Sequence, residues 1–369
     1  MGGRFAPLSG LRYAPLSSSH FLSVMLSIIS PCEAMVWSPC RPVNVMVRSL
    51  LAAVFSLILC CSSMAELKRF FHPPKSDGSL SFLAIGDWGR NGTFNQSLVA
   101  YQMGIIGEEL DIDFVISVGD NFYESGLREV DDKSFEESFT NIYTASSLQK
   151  QWYSVLGNHD YRGNVMAQLD PQLGKIDSRW LCMRSFIVDA EIANFFFLDT
   201  TPFVKKYWKN PKKNRYDWRE VAPRKKYIST LLKDLERALG ESAATWKIVI
   251  GHHTLRSVSE HGETPELVKL LLPMLINYGV DIYINGHDHC LQHISSTDSF
   301  IHFLTSGGGS KAWRGIIMPT VENVEFFYDG QGFVSLQLSS TEANIKFYDV
   351  FGAVLHQWNT TKEFYDYIV

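Results

Sequence analysis

"VDIYINGHDHC", residues 280 to 290, runs from an apolar stretch through a glycine into two histidines that flank one acid. A short apolar run bounded by turn residues reads as a buried strand, and Gly286 ends it. Side chains two apart on an extended chain point the same way, so His287 and His289 share a side. Two imidazoles side by side at a strand end suit one metal site or two adjacent ones. Alone, the pair better fits a polar turn after a buried strand, so partners elsewhere in the chain decide.

Such partners recur. "SFLAIGDWG" (81–89), "DFVISVGDN" (113–121), "WYSVLGNHD" (152–160) and "WKIVIGHH" (246–253) are apolar runs that break into glycine and a metal-ligand residue type. They present Asp87, then Asp120 and nearby Tyr123, then Asn158 with His159, and then His252. Helical patterns lie between them, such as "FNQSLVAYQMGIIGEEL" (94–110) and "PELVKLLLPMLINYG" (265–279). Strands alternating with helices argue for an α/β arrangement. Ligands in such proteins sit beyond the carboxyl ends of the strands. One glycine–acid turn means little, whereas five ligand-bearing strand ends in one chain describe a site.

The C-terminal third changes character. "IHFLTSGGG", "VEFFYDG", "GFVSLQLSS" and "ANIKFYDVFG" read as short strands separated by turns, which predicts a largely antiparallel second sheet. No proline- or glycine-rich linker divides the chain, so residues 66–369 are expected to form one domain of two packed sheets.

Upstream, "MVRSLLAAVFSLILCCSSMAE" (46–66) has an arginine, an apolar run and small residues, the pattern of a secretory signal peptide over 46–65. The run is short for a membrane span, with a signal anchor as the alternative. Residues 1–45 are read as an upstream extension before a start at Met46. The chain of 369 residues is 46% hydrophobic with a formal charge of −5, a globular composition whose acidic balance speaks against nucleic-acid partners. Without residues 1–65, 30 basic and 38 acidic residues remain, and of six cysteines only Cys182 and Cys290. One such pair makes no disulfide scaffold, and whether the two bond is open. Sequons at Asn91, Asn95 and Asn359 offer N-glycan sites if the chain is exported. The stretch from Lys205 to Lys226 holds ten basic and two acidic residues. It reads as an irregular basic loop, either simply solvated or overhanging an anionic-substrate site.

Seven candidate ligands (Asp87, Asp120, Tyr123, Asn158, His252, His287 and His289) are too many for one tetrahedral ion. They suit two ions about 3.5–4 Å apart, bridged by one carboxylate. Tyr123 is the informative member, because a phenol with a pKa of about 10 gives up its proton at low pH only to a strongly polarising cation such as ferric iron.

"IGDWG", "SVGDNFY", "GNHD" and "GHDH", in this order, resemble the motifs of the purple acid phosphatases within the calcineurin-like metallophosphoesterases. The likeness spans residues 82 to 350 and is to the small single-domain form. It implies two packed mixed β-sheets flanked by helices around a βαβαβ metal-binding core. It implies a secreted or vacuolar/lysosomal enzyme hydrolysing phosphate monoesters, phosphoproteins among them, with a metal-bound hydroxide as nucleophile. Carried over, Asp87, Tyr123 and His289 would hold a ferric ion. Asn158, His252 and His287 would hold a divalent ion (iron, zinc or manganese), and Asp120 would bridge. His159 and His261 match substrate-handling positions. Asp288 is expected to face solvent or stand behind the ligands, while His253, Cys290 and His293 are left unassigned. "TLR" after His253 departs from the mammalian pattern, which leaves that pocket wall undetermined. Phosphodiester hydrolysis, redox chemistry at the iron and plain metal binding are the competing functions.

Overall fold

The computed structural model describes residues 66–209, 215–297, 299–319 and 323–362. The upstream extension and the signal-peptide segment lie outside these residues. The described residues belong to one compact unit, Ala65–Val369.

The strands are β1 Lys68–Phe71, β2 Leu80–Ile85, β3 Phe114–Ser117, β4 Gln151–Ser154, β5 Trp180–Cys182, β6 Phe186–Asp189, β7 Ala193–Phe197 and β8 Trp246–Ile250. They continue as β9 Ile282–Asn285, β10 Leu291–Ser295, β11 His302–Ser306, β12 Asn323–Tyr328, β13 Gly332–Leu338, β14 Glu342–Asp349 and β15 Val354–Thr361. Two sheets result, ordered β1-β6-β7-β8-β9-β11-β10-β12 and β15-β14-β13-β2-β3-β4-β5. Strands β2 to β5 are parallel, as are β7, β8, β9 and β11, and antiparallel strands extend each set. The fold is therefore α/β with two mixed sheets flanked by helices, as the resemblance implied.

The expectation of a separate antiparallel sheet in the C-terminal third is corrected. Strands β10 to β12 complete the first sheet, while β13 joins β2 in the second with β14 and β15 beyond it. Local alternation shows that a segment is a strand but not which edge it joins, because pairing partners are distant in sequence.

Between the sheets lies an aromatic and aliphatic core. Phe82 stacks on Phe114 with ring centroids 5.0 Å apart, and Phe186 on Phe197 at 4.3 Å, amid fully buried Ile250, Ile284 and Leu336. The near-continuous apolar runs of β2, β3 and β8 follow from burial on both faces. A helix at Gln96–Glu109 and an aromatic cluster around Trp88, Phe139, Trp152 and Trp180 cover one outer face. A helix at Arg224–Glu241 covers the other. The helical pattern over 265–279 forms two short helices, Pro265–Leu270 and Leu272–Asn277, because Pro273 supplies no amide hydrogen to one continuous helix. Cys182 and Cys290 are buried and unbridged. Among the described residues, no helix is long and apolar enough to cross a membrane.

Where the sheets meet at β10, β11 and β15, three histidines form a chain. His293 bonds His302 at 2.9 Å through Nε2 and His356 at 3.1 Å through Nδ1, and Trp358 packs on His302 with centroids 3.9 Å apart. Burial pushes His293 down to about 3, aided by its two neighbours, and burial also lowers His302 and His356 against the pull of Glu325. The folded protein thus takes up these protons less readily than the unfolded chain. Their contribution is complete above about pH 6.5 and is lost as pH falls toward about 3. Between pH 6.5 and 4.5 the wild type should lose on the order of 2 kcal/mol more stability than His293→Leu. Urea unfolding across that range checks this, and identical slopes would refute it.

Candidate metal centre

All five predicted ligand-bearing turns arrive at one place. Asp87 follows β2, Asp120 and Tyr123 follow β3, and Asn158 and His159 follow β4, three adjacent strands of one sheet. His252 follows β8, and His287 and His289 follow β9, neighbours in the other sheet. Each turn packs against the next so closely that glycine is required. A Cβ on Gly157 would lie 2.2 Å from Asp120 Oδ1, and one on Gly286 would lie 2.4 Å from Asp87 Oδ2. Asp87, Asp120 and His287 themselves adopt left-handed backbone, with φ of 60°, 51° and 69°. Such conformations are strained for residues with a Cβ and persist where surrounding structure enforces them.

The donor atoms divide into two groups. Tyr123 Oη lies 2.8 Å from Asp87 Oδ1, 3.1 Å from Asp120 Oδ2 and 3.0 Å from His289 Nε2. In the second group, His252 Nε2 lies 3.4 Å from Asp120 Oδ2 and 3.2 Å from His287 Nδ1, and Asn158 Oδ1 lies 2.9 Å from that Nδ1. Asp120 belongs to both. Asp87, Asp120 and His252 are buried and bring ligand atoms within 4.8 Å of one another.

These residues fit bound cations. The phenol has one proton for three acceptors. Asn158 Oδ1 and His287 Nδ1 face each other as acceptors unless the imidazole is protonated there. Donors about 2.0–2.2 Å from one ion stand roughly 3 Å apart at right angles, which is the spacing in both groups. Among protein groups alone, burial and the carboxylates of Asp120 and Asp87 push the Tyr123 phenol well above 10, so only added positive charge would make it a ligand. Burial opposes charge on Asp120, yet His252 and His159 hold its carboxyl well below the usual range. Burial also opposes charge on His252, but Asp120 outweighs it and lifts that ring to about 9. A cation at Nε2 would take that proton's place. His252 Nδ1 meets the Val118 carbonyl at 3.0 Å, which orients the ring with Nε2 toward the site.

His159 and His261 both line the cavity above, about 370 Å³ in volume. The His159 backbone N–H donates to Asp120 Oδ1 at 2.7 Å, and its Nδ1 meets the Glu124 carbonyl at 2.6 Å. Its ring packs on Tyr123 with centroids 4.4 Å apart. His261 lies beside His287, centroids 4.1 Å apart, and its Nδ1 is 3.0 Å from Asp288 Oδ1.

Asp288 is not solvent-facing. It is fully buried and accepts hydrogen bonds from Ser257 and from the His261 backbone N–H. His253 is buried too, but Thr200 and Tyr207 take its two nitrogens, at 3.0 and 3.2 Å. Asp160, not singled out from the sequence, gathers the backbone N–H groups of Asn121, Phe122 and Gly157 and so ties two ligand turns together.

The basic stretch is more ordered than a solvated loop. It opens with a helix, Lys205–Lys209, whose buried Tyr207 donates to Asn158 Oδ1 at 3.3 Å. Trp208 stacks on Trp218 at 3.8 Å and Tyr207 on Tyr216 at 4.9 Å. The aromatics interleaved with its lysines were the overlooked sign of packing. Residues 210–214 lie outside the described part. Trp313, also missed, stacks flat on His289 with centroids 4.0 Å apart.

Comparisons with known proteins identify the family. The family model for calcineurin-like phosphoesterases matches residues 80–291. Purple acid phosphatase 17 of Arabidopsis thaliana is 60% identical over 327 residues, covering 86% of this chain and 97% of the relative. Tartrate-resistant acid phosphatase type 5 of Homo sapiens is 31% identical, covering 80% and 95%. Among solved structures, GAP50, titled the anchor in the inner membrane complex of Plasmodium, superposes with a TM-score of 0.65 at 24% identity. That match covers 78% of this chain and 90% of the other and speaks to fold alone. With its phosphoesterase match across the metal-binding strands and relatives at 60% identity along nearly their whole length, the chain belongs to the purple acid phosphatase family and is an acid phosphatase.

Proposed function

We propose that this acid phosphatase hydrolyses phosphate monoesters, phosphoproteins included, at a dinuclear centre of one ferric and one divalent ion, the latter iron, zinc or manganese. Asp87, Tyr123 and His289 would hold the ferric ion, Asn158, His252 and His287 the divalent ion, and Asp120 both. The division of donor atoms into two groups that share one buried carboxylate is the observation that supports this reading. Bound ions would supply the nucleophile at low pH and neutralise charge on the phosphoryl group in flight.

The chain's own residues do the rest. Asp288 fixes Nδ1 of His261 and leaves Nε2 as the nitrogen that donates a proton to the departing ester oxygen. His159, held through Nδ1 by the Glu124 carbonyl, orients the phosphoryl group from the Asn158 side. Trp313 stacked on His289 keeps that ring in place. The protein would leave the cytoplasm through its signal peptide, for the extracellular space or a vacuolar or lysosomal lumen. Asn91, Asn95 and Asn359 are all exposed and would be open to N-glycans.

Purified protein should contain about two metal ions and show a visible band from Tyr123 phenolate and ferric iron. Tyr123→Phe should bleach that band, and an active, colourless wild type carrying two zinc ions would defeat the assignment. His261→Ala should slow alkyl phosphates about 10²–10⁴-fold and aryl phosphates with acidic phenols far less. Equal losses on both esters would leave His261 a phosphate-binding residue and pass proton donation to His159 or water. The exported protein should begin near Glu66, and N-terminal sequencing that finds residues 1–60 retained would overturn the signal-peptide assignment.

A further inference from the structure

One face of the Tyr123 ring carries a charged group. Arg90 Cζ lies over it, 3.7 Å from the ring centre, and 5.5 Å from the centre of the Phe94 ring. The Arg90 side chain is only 8% exposed, and its Nε is buried without a hydrogen-bond partner. Its Nη1 donates to Glu124, whose side chain is 70% exposed, so water screens the acid far more than the guanidinium. Net positive charge therefore acts on the ring.

Backbone contacts hold Arg90 in that place. Gly89 pairs with Phe122, the Tyr123 N–H donates to the Gly89 carbonyl at 2.9 Å, and a Cβ on Gly89 would lie 1.9 Å from the Asn121 carbonyl oxygen. The turns that carry Asp87 and Tyr123 are thus in direct contact, with Arg90 at the seam. The Arg90 N–H donates at 2.9 Å to Oε1 of Gln96. Gln96 is fully buried and itself donates through Nε2 to the Ser138 carbonyl at 2.8 Å. Burial, Asp120 and Asp87 all disfavour negative charge on the phenol, whereas Arg90 favours it.

A cation over an aromatic face is attracted by the ring's electrons, more strongly when both are desolvated. An ionised phenol strengthens that attraction, because the ring then carries a full charge. We propose that Arg90 is a positioning residue that acts through Tyr123, drawing phenolate charge away from the ferric ion and so raising that ion's Lewis acidity and reduction potential. This rests on the assignment of Tyr123 to the ferric ion above. Reduction moves one electron from an external donor, such as an electrode mediator, to the ferric ion and gives ferrous iron, with no atom transferred. A phenolate held by a guanidinium donates less, so it stabilises the ferric state less against the ferrous one. Light that moves an electron from phenolate to ferric ion works against the same cation. Arg90 therefore shifts the visible band to shorter wavelength.

The test records the visible spectrum, the resonance Raman modes of tyrosinate and the reduction potential of the iron-loaded full chain, with Arg90→Gln and Arg90→Lys. Arg90→Gln should move the band to longer wavelength and keep the tyrosinate modes. Its reduction equilibrium should shift about tenfold toward ferric iron, about 59 mV for one electron. Arg90→Lys keeps the charge and should recover part of both shifts. An unmoved band and potential in Arg90→Gln, with tyrosinate modes present, would overturn the proposal and leave the Tyr123 assignment intact. Equal shifts in both variants would trace them to lost packing instead of charge and would overturn it too. If Arg90→Gln does not hold iron, Glu124→Gln decides, because it removes the exposed acid and leaves the guanidinium on the ring. Its band should move to shorter wavelength, and no movement or the opposite one would overturn the proposal. A wild type that binds iron without tyrosinate modes would defeat the Tyr123 assignment and this inference with it.

Discussion

The carboxylate of Asp120 is the constraint on which the rest of the site depends. It is buried, held in left-handed backbone, and within reach of Tyr123 and His252 through one oxygen and of the His159 N–H through the other. An isolated carboxylate in such a place is expensive, and the group either neutralises or finds opposite charge. Here the opposite charge can come only from protons on histidines or from cations between the donors. The close approach of Gly157 is part of the same constraint, because any side chain there would strike the carboxylate and push the third strand's turn away. Strain at left-handed residues costs of order 1–3 kcal/mol each. The two apolar sheets behind the site hold the turns against that cost.

Around this anion the structure places polar groups that are not themselves among the candidate donors but determine where donors and acids stand. Asp160 ties the turns after β3 and β4 through backbone hydrogens, and Val118 orients His252 through its carbonyl. Asp288, between two ligand histidines in sequence, turns inward and serves His261 from another loop. Its neighbours in "GHDH", His287 and His289, stand among the candidate donor atoms, and its own contact is with His261. Tyr207 reaches Asn158 and His253 from the basic stretch, so that stretch is joined to the centre by a buried hydroxyl as well as by its charge.

The same fold occurs in a protein titled an anchor, so two packed sheets do not by themselves make a phosphatase. The residues at the strand ends carry the chemistry, and relatives at 60% identity along nearly their whole length tie this chain to an enzyme family. Higher in the cavity, Arg162, Lys206, Lys311, Tyr216 and Trp313 form walls that the strand-end motifs leave unspecified.

The five ligand-bearing strands, their order of appearance and the residues they present were legible in the sequence, because apolar runs ending in glycine plus a ligand type are local signals. The unusual chemistry of Tyr123 as a candidate donor was legible too, since it follows from the side chain alone. Tertiary structure decided which sheet β10 to β15 would join, because pairing depends on neighbours far away in the chain. It decided that Asp288 faces inward toward His261, that His253 is occupied by Thr200 and Tyr207, and that His293 links two other histidines. None of these has a local signature, since a buried histidine or aspartate looks like an exposed one until its partner is found. The composition of the donor set is written along the chain, whereas its division into two groups around Asp120 exists only once two sheets bring five turns to within about 3 Å of one another.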